Sequence, residues 1–295
     1  MTKEKFIKEL KSTTYLILGL FFAYSFIFGS YIVPTGSMKD TILEGDFLLI
    51  NKFVWGQRTP DWIGIPHVNI GFHIPWTRWE TFSSPKSGDI VAFSYPVNPD
   101  INYIKRCVAG PGQTLQITDT RLSIDGKPFA EAADAKTPKF TNLMEGSRDH
   151  RVITRRNTRW NPDWFGPIRV PQKGDTLILD RENIQLYGLI YFHEKDIRLA
   201  GLPRQNWTKI PLVQRTLKKI LHKPVKLVLK NDYYFMMGDN RNDSEDSRFW
   251  GFVPEYFIIG KPLLIFFSYD ISKQAGNHFF FWNNLQFSRF GTIPR

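Results

Sequence analysis

Between Ser12 and Met38 the chain carries no charged residue, and this run constrains the fold more than any other feature. Its core, Thr13 to Val33, is rich in Phe, Tyr, Leu and Ile. As a helix it would extend about 31 Å, the thickness of a bilayer's hydrocarbon. Lys3, Lys5, Lys8 and Lys11 precede it, whereas Lys39 behind it is soon followed by Asp40, Glu44 and Asp46. That asymmetry predicts residues 1–12 in the cytoplasm, a transmembrane anchor over 13–33, and the remainder outside the inner leaflet. Pro34, which lacks an amide donor, is expected to end the helix. The competing reading is a cleaved leader, but its apolar region would run only about 7–15 residues to a small-x-small site. Gly29-Ser30-Tyr31-Ile32-Val33-Pro34 offers none.

The remaining residues of the 295 suffice for one large domain or two modest ones. A mean hydropathy of −0.29 excludes a polytopic membrane protein. One cysteine, Cys107, excludes an internal disulfide and a cysteine-built zinc site. The net charge of +11 arises almost entirely between Gly126 and Asp232, with 21 basic against 11 acidic residues. No zinc-finger, basic-zipper or RNP-type signature accompanies it, so lipid headgroups or plain solubility explain it better than nucleic acid.

After the anchor the chain reads as mainly β. Phe47-Leu48-Leu49-Ile50, Ile90-Val91-Ala92-Phe93, Tyr103-Ile104, Leu177-Ile178-Leu179 and Tyr233-Tyr234-Phe235-Met236 are short apolar runs. Three follow Gly-Asp (Gly45-Asp46, Gly88-Asp89, Gly174-Asp175), a dipeptide that turns the chain and launches a strand. The expectation is a coiled antiparallel β-sheet catalytic domain over 34–125 and 233–295, with a smaller basic β subdomain inserted at 126–232. Helical periodicity is otherwise confined to Leu212 to Leu221. Trp55 to Phe82 holds Trp55, Trp62, Trp76 and Trp79, and reads equally as a membrane-interface loop or a packed surface loop. The tail from Asn277 is too short to span a bilayer, though not to lie on one.

The usual catalytic signatures, Gly-x-Ser-x-Gly, a Walker loop and His-Glu-x-x-His, do not occur, and the six histidines lack ligand spacing. What remains is Ser37, in Pro34-Thr35-Gly36-Ser37-Met38, and Lys105, in Tyr103-Ile104-Lys105-Arg106-Cys107-Val108. A serine hydroxyl needs a base within hydrogen-bond reach. A lysine serves as that base only if burial brings its pKa down by about 3 units, roughly 4 kcal/mol. Strand alternation points Lys105 away from Ile104 and Arg106. Taken alone, such residues are more often turn and surface positions than a catalytic pair.

Their surroundings change that balance. Pro34 to Met38, Gly45 to Leu49, Ser87 to Phe93, Tyr103 to Gly112 and Gly238-Asp239-Asn240-Arg241-Asn242-Asp243-Ser244-Glu245-Asp246-Ser247-Arg248-Phe249-Trp250-Gly251 resemble, in order, the boxes of the type I signal peptidases. Leu285 to Gly291 is similar to that family's C-terminal stretch. The resemblance implies Ser37 as nucleophile and Lys105 as general base. It implies Ser244 as the hydroxyl that orients the amine, Thr35 as an oxyanion-hole partner of the Ser37 amide, and Asp246 with Arg248 as a structural ion pair. It further implies cleavage of signal peptides from exported precursors after small residues, typically Ala-x-Ala, at the bacterial inner membrane, without metal or organic cofactor. Ile32, Pro34, Tyr103 and Ile104 are the candidate walls of the shallow substrate pockets. A strand-like substrate would add beside the Ser37 and Lys105 segments. Expected partners are signal peptides, the lipid bilayer and the secretion machinery.

Three departures stand out: one predicted span where well-known members have two, Gln113 in place of an acid, and Asn242-Asp243 in reversed order. Cys107 shares the Lys105 face and reads as a small buried hydrophobe. Two other classes remain open. A related Ser–Lys self-cleaving repressor would need a DNA-binding module that residues 1–12 cannot supply. A membrane-tethered β scaffold would bind without catalysing.

Overall fold

The computed structural model describes residues 3–56, 59, 62–65, 70–73, 83–130, 143–155, 157–195, 223–271 and 284–294. In chain order, α1 (Lys3–Phe26) leads into β1 (Phe28–Ile32), a 3-10 turn at Gly36–Met38, and β2 (Asp46–Asn51). Then come β3 (Trp62–Ile65), β4 (Ile70–His73), β5 (Ile90–Tyr95), β6 (Asn98–Ala109), β7 (Thr114–Thr118), β8 (Arg121–Ile124) and β9 (Lys127–Pro128). The later elements are β10 (Phe165–Arg169), β11 (Thr176–Leu179), α2 (Ile184–Glu194), β12 (Val225–Val228) and β13 (Tyr233–Met237). Last are α3 (Ser247–Trp250), β14 (Val253–Pro254) and β15 (Ile258–Ser268). The fold is mainly β with antiparallel pairing.

The chain divides into two units. The first comprises Met1–Val33, Gly45–Ser84 and Gly260–Pro294; the second comprises Pro34–Glu44 and Pro85–Ile259, with Arg295.

In the first unit the sequence expectation for the N-terminus is corrected. The helix does not run to Pro34: it ends at Phe26, and Phe28–Ile32 pair antiparallel with Phe47–Asn51. The backbone amides of Phe28–Ile32 therefore find their partners in a neighbouring strand rather than one turn back. The uncharged helical stretch from Ser12 to Phe26 covers only about 22 Å. The earlier turns carry Lys3, Glu4, Lys5, Lys8, Glu9 and Lys11. Among the described residues no helix is long and apolar enough to cross a membrane. β2 pairs on its other side with β15, and its Asp46, Leu48 and Ile50 face inward in strict alternation. The tail closes the unit: Gln286 N–H donates to Ser268 (3.1 Å), Gly291 N–H to Ile265 (2.7 Å), and Arg289 grips the buried Asp46 carboxylate at 2.5 Å. Of the tryptophan-rich stretch, the β3–β4 hairpin is described, while Trp76 and Trp79 lie outside the described residues.

The second unit holds the antiparallel run β5–β6–β13–β14 and a four-stranded sheet in the order β10-β7-β8-β9. β11 pairs with β12. Ile90 to Tyr95 are buried on both faces, as the continuous apolar run Ile90 to Phe93 suits. Val108, Leu115, Phe165, Leu179, Ile190, Phe192, Tyr233, Phe235 and Phe252 share one core. Burying each such side chain contributes about 1.5–3 kcal/mol. α2 lies outside the sequence expectations; the expected helix over Leu212 to Leu221 lies outside the described residues.

The Gly-Asp punctuation works as expected. Gly45, Gly88 and Gly174 all take positive φ, between 86° and 100°, where a side chain would be strained. At Gly45 a Cβ would also meet the Tyr269 carbonyl oxygen at 1.8 Å. The aspartates cap their turns: Asp89 accepts from Lys86 N–H (2.8 Å) and Asp175 from Gln172 N–H (3.0 Å).

Candidate active site

Ser37 sits in the 3-10 turn that follows Thr35, whose backbone is extended and whose side chain makes no capping bond. A helical turn's first amides lack internal partners, and the Ser37 N–H makes no hydrogen bond among the described residues. The turn is clamped by the segment after β13. Asn240 donates its backbone N–H to the Ser37 carbonyl (3.1 Å) and its side-chain amide to the Gly36 carbonyl (3.0 Å). Asp239 N–H reaches Met38 Sδ at 3.4 Å, and Thr41 Oγ1 donates to Asp239 Oδ2 at 2.7 Å.

Lys105 comes from β6, opposite Val91 of β5, and only 4% of it is exposed. Its Nζ donates to Ser37 Oγ and lies 5.4 Å from the centre of the Tyr103 ring. Burial lowers its pKa from the ordinary 10.5 to about 8. The Asp246, Glu245 and Asp239 carboxylates pull in the opposite direction, and Arg248 adds to the lowering. About one amine in ten is then neutral at pH 7, against fewer than about one in a thousand for an ordinary lysine.

Two buried ion pairs brace this corner. Arg106, next to Lys105 but on the other strand face, binds Asp239 through Nε (2.7 Å) and a terminal nitrogen (2.6 Å), and donates to the Gly88 carbonyl. Asp246 caps α3 and binds Arg248 at 2.9 and 2.8 Å. Burial alone would raise the Asp246 pKa, but the Arg248 charge and its hydrogen bonds hold it below the usual carboxylate range. Leaving either acid without its arginine would strand a buried charge.

Ser244 is buried beside the pair: a Cβ on Gly238 would come within 2.3 Å of Ser244 Oγ and 2.4 Å of the Ser37 carbonyl oxygen. Glycine there lets the two serine segments meet. The Ser244 hydroxyl has no well-formed hydrogen bond among the described residues, although it lies near enough to Asp246 to help keep it ionised. It makes no bond to Lys105.

The remaining sequence candidates are spread out. Pro34 and Thr35 are exposed in the second unit. Tyr103, half-buried, stacks on Tyr95 at 4.5 Å, and Ile104 is half-buried opposite Ala92. Ile32 is exposed at the end of β1, in the first unit. Arg106, Asp239, Asn240 and Thr41 had no assigned role from sequence. The available signal was an arginine inside an apolar strand, which must find a buried partner. Cys107 is fully buried, with its thiol pushed up by desolvation. Among the described residues no His, Cys, Asp or Glu cluster is arranged to hold a metal.

The family described as signal peptidase, peptidase S26, matches residues 6–267. The chain belongs to this family. The signal peptidases are serine peptidases, so the chain is a hydrolase. It is 31% identical over 91% of its length to signal peptidase I of Buchnera aphidicola subsp. Schizaphis graminum, covering 77% of that protein. It is 29% identical to signal peptidase I of Aquifex aeolicus, over 88% of this chain and 84% of that one. A signal peptidase I structure from Enterococcus faecalis overlaps 61% of this chain at 21% identity and a TM-score of 0.31, too low to inform the geometry.

Proposed function

We propose that this signal peptidase family member is an endopeptidase that removes N-terminal signal peptides from exported precursors after Ala-x-Ala-like sites, with Ser37 as nucleophile and Lys105 as general base. The observation that carries this reading is the contact between a dry lysine amine and a half-buried serine hydroxyl. In its neutral form the amine accepts the Ser37 proton as Oγ attacks the scissile carbonyl. The ammonium then returns that proton to the departing amine, and a water activated by Lys105 releases the acyl group. Negative charge on the carbonyl oxygen would be met by the unengaged Ser37 N–H and the Thr35 hydroxyl, a donor of this kind being worth about 3–4 kcal/mol. Ser244, with an unspent hydroxyl beside the pair, is suited to orient the amine as the proton moves. Asp246 with Arg248 supports that segment from below.

For the substrate, Pro34, Tyr103 and Ile104, all in the second unit, are assigned to the apolar walls that admit only small side chains. We also propose that α1 holds the protein at the bacterial inner membrane, N-terminus inside and catalytic unit outside. The support is its sheath of exposed apolar residues (Leu10, Leu16, Ile17, Leu20, Phe21 and Phe22 among them) behind a lysine-rich start. The deciding experiment incubates purified full-length protein in detergent with a precursor peptide bearing Ala-x-Ala. The parent cleaves it, while Ser37→Ala and Lys105→Ala do not. Persistent cleavage by either variant removes that residue from the mechanism.

A further inference from the structure

Three carboxylates surround the Lys105 amine, and they are not equivalent. Asp239 is held by two nitrogens of Arg106 and Asp246 by two nitrogens of Arg248, both pairs fully dry. Each of these negative charges therefore has its own buried counter-charge. Glu245, between Ser244 and Asp246, forms no ion pair among the described residues; its one hydrogen bond is from the Tyr95 hydroxyl, at 3.4 Å. Tyr95 stacks on Tyr103 with rings 4.5 Å apart and nearly parallel, and the Tyr103 ring faces Lys105 Nζ at 5.4 Å. A continuous path of contacts thus runs from Glu245 through two tyrosines to the amine. Trp250 of α3 closes on Tyr95 at 5.7 Å, edge to face, and fixes the stack from behind.

We infer that Glu245 is a positioning residue for the reaction: its uncompensated carboxylate, tied to the Tyr95–Tyr103 stack, sets the electrostatic field at the Lys105 amine. The inference rests on Lys105 being the base. The same charge acts on every titratable neighbour in the path. After burial, Glu245 is the next largest cause raising both Tyr95 and Tyr103, the latter to about 12. It also opposes the lowering of Lys105. The other charged groups facing Lys105 are Asp246, Arg248 and Asp239; β5 presents Val91 and the 3-10 turn presents Ser37. Asp246, Arg248 and Asp239 are locked in their pairs, so the adjustable charge is the exposed one. Its chemical effect is to hold the amine more basic than burial alone would leave it, a stronger proton acceptor that is neutral less of the time.

The test measures kcat/KM of the full-length enzyme on the Ala-x-Ala precursor across the pH range bracketing 8. With Glu245→Gln the amine loses its proton more easily, so the acidic limb moves to lower pH. At a fixed pH on that limb the rate rises roughly two- to fivefold, the range for an exposed charge pair. Added salt should move the parent's limb the same way and leave the variant's nearly still. Tyr95→Phe, which keeps the ring stack and the carboxylate but removes the hydroxyl that ties them, should move the limb the same way by less than Glu245→Gln does. An unmoved limb in Glu245→Gln, a uniform loss at every pH, or an equal shift in Tyr95→Phe overturns the inference. Failure of the underlying mechanism looks different: Lys105→Ala would then still cleave.

Discussion

Two corners of the second unit bury ionisable side chains in opposite ways. At the end of α2, Glu194 is 3% exposed and takes four hydrogen bonds, from Lys230 N–H (2.8 Å), Asn231 N–H (3.3 Å), the Asn231 side-chain amide (3.1 Å) and the Tyr233 hydroxyl (2.8 Å). At the Ser37 turn, Lys105 is equally dry and among the described residues makes one hydrogen bond, to the serine it is proposed to activate. A carboxylate with four donors has its oxygens saturated and staples the turn between β12 and β13. An amine with a single partner is left short of solvation, and its proton becomes easy to remove. Saturation yields structure, and starvation yields reactivity.

The contrast is broken if both corners respond alike to mutation. Ser37→Ala and Lys105→Ala are expected to reduce cleavage by about 10³-fold or more, while urea midpoints stay near the parent's because no saturated network is disturbed. Glu194→Leu should do the reverse. Four donors lose their acceptor, unfolding costs about 3–5 kcal/mol less, and the folded fraction still cleaves the precursor at the parent's rate.

His193, beside Glu194, sharpens the comparison. Its ring packs edge-on against Phe257 at 5.1 Å, its Nε2 has no partner among the described residues, and burial lowers its pKa from 6.5 to about 4. The unfolded chain therefore binds the extra proton first. Stability from this group is complete above pH 6.5 and drains away as pH falls toward 4, by about 3 kcal/mol in all. Urea titrations at successive pH values should show that slope, and His193→Leu should flatten it.

Gly238→Ala forces Ser244 and the Ser37 carbonyl apart, and a misplacement of this size should cost about 10²-fold in kcat with far less change in stability. The gentlest probe is pH itself. With Lys105 acting as the neutral base proposed above, activity should rise with pH through about 8, falling near tenfold for each unit below it. A profile flat through that range would remove the starved amine from the chemistry.

How much of this was legible in the sequence differs by element. β2, β5 and β11 were readable because each follows a Gly-Asp turn whose glycine must take positive φ, a local requirement. The end of α1 was not. Nothing in Ile27-Phe28-Gly29 forbids a helix; the helix stops because Phe28–Ile32 find a strand around Leu48, well along the chain. α2 escaped because Ile-Gln-Leu-Tyr-Gly-Leu-Ile-Tyr-Phe is apolar on nearly every side, so no amphipathic period marks it. At the site, Ser37 and Lys105 were visible through the boxes that contain them, and Asp246 with Arg248 are local in sequence. Arg106 with Asp239 could not be paired in advance, since only the register Arg106↔Met237 brings them together.

One quiet feature of β6 has a practical consequence. Cys107 lies in the middle strand of β5–β6–β13, two residues beyond Lys105, with its sulfur fully enclosed. An alkylating reagent can reach it only when that layer parts. Being the sole thiol of the chain, it is an internal clock: the pace of its labelling counts how often the floor beneath the reactive corner breathes open.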